Sequence, residues 1–416
     1  MRSDSAENVL LDFGIELTSA SLESCLTHAK IALAAKNTET IDPAAIVVNL
    51  SSVRWINIDS LLFLLCVLGR LKADSTQLTI ILPEYEGKWL FNKTDPPECI
   101  AVRKVRDYLK RWRFSEALRE AVGPLEEVLP SHQERYFDDE AIFYRPATHF
   151  NEKGDKYELL STLLLEITHM TRGDAGNRHV SRDVIKQFLQ DFSVKGRLKW
   201  AVSKAVDRER DLYFAKEFAQ TLLWESLINT AEHPNATMSV LSVARSSDDQ
   251  TFVIAIADNG DPIPNTIAES FDDVRETRQE LYPDSLSQND LRIASRIDAT
   301  DKAASSITTY RENAAATRYA TESGTTSLKG QPRSLIGQEI FDMEPEEADN
   351  FARGLGLFYV KERTIEFGGT LTIRAGGSEV QFSPDSTKPE GMSTSSRLVS
   401  KWPGNLLSIC LPILVH

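Results

Sequence analysis

The chain has little cysteine, no long apolar run and a deficit of positive charge, and each shortage removes a class of protein. Its four cysteines (Cys25, Cys66, Cys99, Cys410) are scattered with no CxxC pair. That argues against a disulfide framework or a zinc site and suits a reducing cytosol. The longest apolar run, Leu61 to Leu68, is too short to cross a bilayer, so no membrane association is expected. The opening residues, MRSDSAEN, include acidic side chains and no apolar segment, and do not read as a secretion signal. A cytoplasmic location is therefore expected. Lys and Arg number 47 against 61 Asp and Glu, a formal charge of −14. Such a surface repels phosphate backbones, which disfavours nucleic acid as a partner. Apolar content of 41% is ordinary for a globular protein, and 416 residues favour two or three domains.

What is present reads as alternating strands and helices. Val9–Leu17, Ala45–Leu50 and Thr79–Leu82 have strand character, while Leu22–Ala35, Asp59–Lys72 and Ile100–Leu118 have helical spacing. Asp59 or Ser60 is placed to cap the second of these helices. This alternation indicates an α/β layer structure over residues 1–123. Residues 124–200 read as a partly helical connector, with prolines at 124, 130 and 146 and helical spacing over Tyr157–Met170. Helical spacing continues from Val184 to Ala231, and Pro234 ends it. Strands are expected at Met238–Ala244, Thr251–Ala257, Thr370–Ala375, Glu379–Phe382 and Leu406–Leu414, with a helix at Gly354–Phe367. Pro384–Ser396 reads as a polar loop. Ala299–Gly330, rich in Ala, Ser and Thr, is expected to bury little and to be mobile.

Three segments carry chemistry. In LLWESLINTAEH, Glu225, Asn229 and His233 stand four apart and share one helix face. An Asn oxygen can ligate Mg²⁺, which prefers oxygen ligands and bridges phosphates, and a Glu one turn away can orient or deprotonate a hydroxyl. Taken alone, the spacing is equally that of an ordinary surface helix. Phe252–Ala257 runs into Asp258-Asn259-Gly260, an acidic residue at a strand end where it can accept from a ligand amine, or simply turn the chain. Gly354-Leu355-Gly356-Leu357 enters a helix, where backbone N–H groups and the helix dipole favour phosphate.

In this order, over residues 201–416, the three segments resemble the GHKL ATPase superfamily, whose members include histidine kinases, anti-sigma serine kinases and gyrase-type ATPases. The resemblance implies a Bergerat-type α/β sandwich binding ATP and Mg²⁺. It implies Glu225 as the catalytic base and Asn229 as the Mg²⁺ ligand. It also implies Asp258 as reader of the adenine amine and residues 265–353 as a lid over the nucleotide. His233, Gly260, Gly354, Leu355, Gly356 and Leu357 complete the binding set. Two positions depart from the family: Pro262 replaces the second Gly of Asp-x-Gly-x-Gly, and Gly404-Asn405 stands where Gly-Thr is usual. The N-terminal stretch IVVNLSSVRWINIDSLLFLL is similar to STAS domains, in which a Ser or Thr after an Asp can be phosphorylated by a GHKL partner. Asp59-Ser60 occupies that place, but Leu61-Leu62 replaces the family's Ser-Gly, which favours a helix cap.

These resemblances imply a Mg-dependent serine/threonine protein kinase-like regulator of a partner protein, with a homodimer left open. The alternatives are a GHKL ATPase driving a conformational or dimerisation cycle, and a non-catalytic ATP-sensing module. A histidine kinase is disfavoured, since His169 is followed by Met170-Thr171 rather than by an acidic and then a basic residue. His132, His149, His169 and His179 show no metal-ligand spacing, and the basic run Arg103–Arg113 reads as a solvated or intramolecular face.

Overall fold

A computed structural model of the chain describes residues 9–18, 21–25, 27, 46–73, 78–81, 105, 109, 114, 117–118, 148–150, 156–158, 163–166, 222, 225–227, 229, 236, 238–245, 251–269, 310–322, 356–389, 391–399 and 404–412. The class is mixed α and β. Two compact units divide the chain: Met1–Leu164 with Val240–Ser242, and Leu165–Ser239 with Val243–His416.

In the first unit, β1 (Val9–Asp12), β3 (Ile46–Asn49) and β5 (Leu78–Ile81) form a parallel sheet in the order β1-β3-β5. The span read as one strand over Val9–Leu17 is two strands. A turn at Phe13–Ile15, in which the Gly14 N–H donates to Asp12 Oδ1 at 3.0 Å, separates β1 from β2 (Glu16–Leu17). β2 then pairs in parallel with β4 (Trp55–Ile56). Between β3 and β5 lies α1 (Ile58–Ala73), whose Leu61 to Leu68 run is buried all round. Parallel strands require a crossover, and an apolar helix supplies one while burying its whole circumference. Burial of each such Leu or Phe stabilises the unit by roughly 1.5–3 kcal/mol. Asp59 does not cap this helix; it lies inside the first turn, where its carboxylate accepts from the Ser60 N–H at 3.0 Å. The Asn57 carbonyl takes the first helical bond, from the Leu61 N–H at 3.0 Å.

The second unit is organised by strand β14 (Asn405–Pro412). It lies antiparallel between β10 (Thr251–Asp258) and β11 (Thr370–Ala375), followed by β12 (Ser378–Pro384) and β13 (Met392–Leu398). Within this unit the strand order is β13-β12-β11-β14-β10; β9 (Met238–Arg245) and β8 (Leu163–Glu166) each have residues in both units. In the first unit, β6 (Thr148–Phe150) pairs antiparallel with β7 (Lys156–Glu158). Register sets Asp258 opposite Asn405, and Asn405 opposite Ala375, so the ends of three strands meet. Helix α2 (Ile263–Glu269) follows β10 directly. Helix α3 (Tyr310–Ala320) packs on α2, β11, β12 and β13, and α4 (Gly356–Glu366) on β11, β12 and β14.

Three further sequence expectations need correction. The helical reading of Tyr157–Met170 within the connector gives way to strands at β7 and β8, because a short run such as Leu163–Leu165 fits either period and pairing decides. The polar tract Pro384–Ser396 contains most of β13, an edge strand with largely exposed side chains that is paired through its backbone to β12. The span expected to bury little contains α3, in which Ala314, Ala316, Thr317, Tyr319 and Ala320 are buried. Small side chains let the helix approach its neighbours closely, and Tyr319 supplies the one large buried group among its described residues. The rest of residues 265–353 after Glu269, apart from 310–322, lies outside the described residues. So do the connector from 167 to 200 and the charged residues of the Arg103–Arg113 run, while Val105 and Leu109 of that helix are buried.

Candidate functional site

Glu225 and Asn229 are helical, as their spacing predicts, and Leu227 between them is buried toward the core. Four residues make slightly more than one turn, so the carboxylate and carboxamide emerge from one side. Glu225 is only 7% exposed. The Asn229 Nδ2 is buried and makes no hydrogen bond among the described residues. A buried amide N–H without a partner costs about 1–3 kcal/mol, and this one is free to donate.

The first residue of α4 meets this pair. A Cβ on Gly356 would stand 2.7 Å from Glu225 Oε2, 3.0 Å from Asn229 Nδ2 and 3.3 Å from Asn229 Oδ1. Only a residue without a side chain lets the helix backbone come so close. The N-terminal turn of α4, with its unsatisfied N–H groups and positive dipole end, is thereby brought against a carboxylate and a carboxamide. Leu357, next in α4, is half-buried. Gly354, Leu355 and His233 lie outside the described residues.

A second cluster forms where β10 and β14 meet. Asp258, buried at the end of β10, accepts the Gly260 N–H at 2.9 Å through Oδ1, closing a tight turn. Pro262 starts a helix. Its carbonyl accepts from Asn265 N at 2.9 Å and Thr266 N at 3.2 Å, opening α2 with a residue whose own missing N–H costs nothing there. Gly404, before β14, has φ +101°, and a Cβ there would overlap the Asp258 carbonyl oxygen, so the position is closed to any side chain. Next to it, Asn405 Nδ2 donates to Asp258 Oδ1 at 3.1 Å, to Asp258 Oδ2 at 3.3 Å and to the Asp261 carbonyl at 3.1 Å. Its Oδ1 accepts the Ile263 N–H at 2.9 Å.

Sequence reasoning counted Asn405 only as a departure. It is a hydrogen-bond centre of the cluster, and the signal available was its place at the head of a buried strand. Asn313 of α3 was also missed; it is buried and donates to the Gly376 carbonyl at the turn between β11 and β12.

No group of three or more His, Cys, Asp or Glu able to hold a metal occurs among the described residues. Glu225 and Asn229 offer oxygen ligands only. That suits Mg²⁺, which is commonly held by one or two side chains with the remaining positions filled by phosphates and water. No helix among the described residues is long and apolar enough to cross a membrane. Comparison with known proteins adds no assignment. No protein-family model matches the chain, and no curated protein matches it either.

Proposed function

We propose that the second unit binds Mg-ATP in a GHKL-type site and that the protein is a Mg-dependent serine/threonine protein kinase-like regulator of a partner protein. The observation that carries this reading is the approach of Gly356 to Glu225 and Asn229, which joins the start of α4 to the Glu/Asn helix from more than a hundred positions away in sequence. The residues present fit the ligand. Asn229 has a buried amide wanting a partner, α4 offers its N-terminus to phosphate, and Asp258 offers a buried carboxylate to a base amine. Mg²⁺, when bound, offsets phosphate charge as the terminal phosphoryl group is transferred.

Glu225 orients or deprotonates the attacking hydroxyl, and its burial beside the start of α4 keeps bulk water from competing. Asn229 presents its oxygen to the metal. Residues 265–353 are the lid in this reading, with α3 as its anchored part. The first unit is the STAS-like module that meets the partner, and the protein works in the cytoplasm.

Incubation with γ-labelled ATP and Mg²⁺, alone and with cell extract, tests the reaction. Label on protein serine or threonine is expected. Free phosphate alone would instead indicate an ATPase, and intact bound ATP a sensor. Glu225→Ala should abolish transfer while leaving binding nearly intact, and Asn229→Ala should weaken Mg-ATP binding about tenfold or more. Normal turnover by Glu225→Ala would remove the base assignment.

A further inference from the structure

We infer that Asn405 is a positioning residue, and that its carboxamide, rather than any ligand, fixes the carboxylate of Asp258 and the loop that follows it. The inference rests on the nucleotide reading given above and adds a specificity determinant to it.

One side chain ties together three parts of the fold. The Asn405 Nδ2 reaches both oxygens of Asp258 and the carbonyl of Asp261, while its Oδ1 accepts the N–H of Ile263 at the start of α2. Those partners lie more than 140 residues away in sequence and are brought close by the pairing of Asp258 with Asn405 in the β10–β14 register. Asn405 is 4% exposed, so these bonds form in a low-dielectric setting where a charge-assisted amide–carboxylate contact is strong.

The chemistry requires a carboxamide. A nitrogen with two protons serves the carboxylate and a carbonyl at once, and the oxygen on the same carbon caps an otherwise orphan helix N–H. A hydroxyl supplies a single proton and cannot make both donations. A carboxylate supplies none and would face Asp258 with like charge. Asp258 is thus held at one rotamer by Asn405 together with the Gly260 N–H before any base arrives, and the loop 259–262 is held with it. Orientation of this kind acts on the part of a ligand that meets Asp258 and leaves the phosphate end at Gly356 untouched.

The test compares two probes on the full chain by calorimetry with Mg²⁺ present: ATP, and tripolyphosphate, which has no base. For Asn405→Ala, ATP affinity is expected to fall about tenfold while tripolyphosphate affinity stays within twofold of wild type. Asn405→Thr, retaining one donor, should fall between the two. Unchanged ATP affinity in Asn405→Ala overturns the inference. Equal loss of both probes also overturns it, because that is the mark of a general structural role. A wild-type protein that binds neither probe refutes the nucleotide reading itself, before any variant is considered.

Discussion

Replacing Gly356 by Ala tests the contact on which the candidate site depends. The added methyl would stand 2.7 Å from Glu225 Oε2 and 3.0 Å from Asn229 Nδ2. Comfortable separations for such atoms are about 3.5 Å, so the carboxylate must retreat by roughly 0.8 Å. Glu225 is buried and has little room to do so. Overpacking of this size costs about 1–3 kcal/mol, against which Ala regains roughly 0.5–1 kcal/mol over Gly within a helix. Net destabilisation of up to about 2 kcal/mol should appear as a lower midpoint in urea unfolding. Displacement of the proposed base by the better part of an ångström can cost on the order of 100-fold in turnover, so Mg-ATP chemistry should fall far more than stability does. Gly391→Ala is the control. Its φ of +66° strains an L-residue, yet nothing lies within 4 Å of the new methyl, so it should lose about 1 kcal/mol of stability and no nucleotide affinity. If Gly356→Ala binds and turns over Mg-ATP like wild type, Gly356 is a packing glycine and the site has been misplaced.

Ser60 and Cys25 give two further predictions in the first unit. The Ser60 hydroxyl is buried without a hydrogen-bond partner among the described residues, so Ser60→Ala should be neutral or stabilising and should not change phosphate incorporation. Ser60→Asp should cost about 3 kcal/mol or more in urea unfolding, and a wild-type midpoint would show that the site is open to a charge. Burial, with the Asp12 carboxylate as a smaller contribution, pushes the Cys25 thiol up to about 12 from 9.0. Thiolate is the reactive form, so alkylation of Cys25 by iodoacetamide at pH 8 should await unfolding, which mass mapping can follow. The unfolded chain ionises this thiol first. Its contribution to stability is therefore complete below pH 9.0 and is lost as pH rises from there toward about 12. A Cys25→Ala variant with the same alkaline loss would assign that loss to other groups.

Elements whose side chains carry their own period were legible from local residue order. The run Thr370–Ala375 pairs as a strand over the span its β-branched residues predict, and α1 begins and ends within one residue of its apolar pattern. The Glu225/Asn229 helix face and the strand end at Asp258 were legible for the same reason, since a spacing of four or of two is a local property of the chain. Tertiary structure decided what no local period encodes. β13 has exposed polar side chains and exists because the backbone of β12 offers its edge, and Tyr157–Met170 yields strands because a sheet was there to join. Pro262 became a helix start, and Asn405 a hydrogen-bond centre, only when β14 was inserted between β10 and β11. Backbone pairing and buried hydrogen bonds join residues far apart in sequence, and the free energy of such contacts belongs to the assembled sheet rather than to any segment within it.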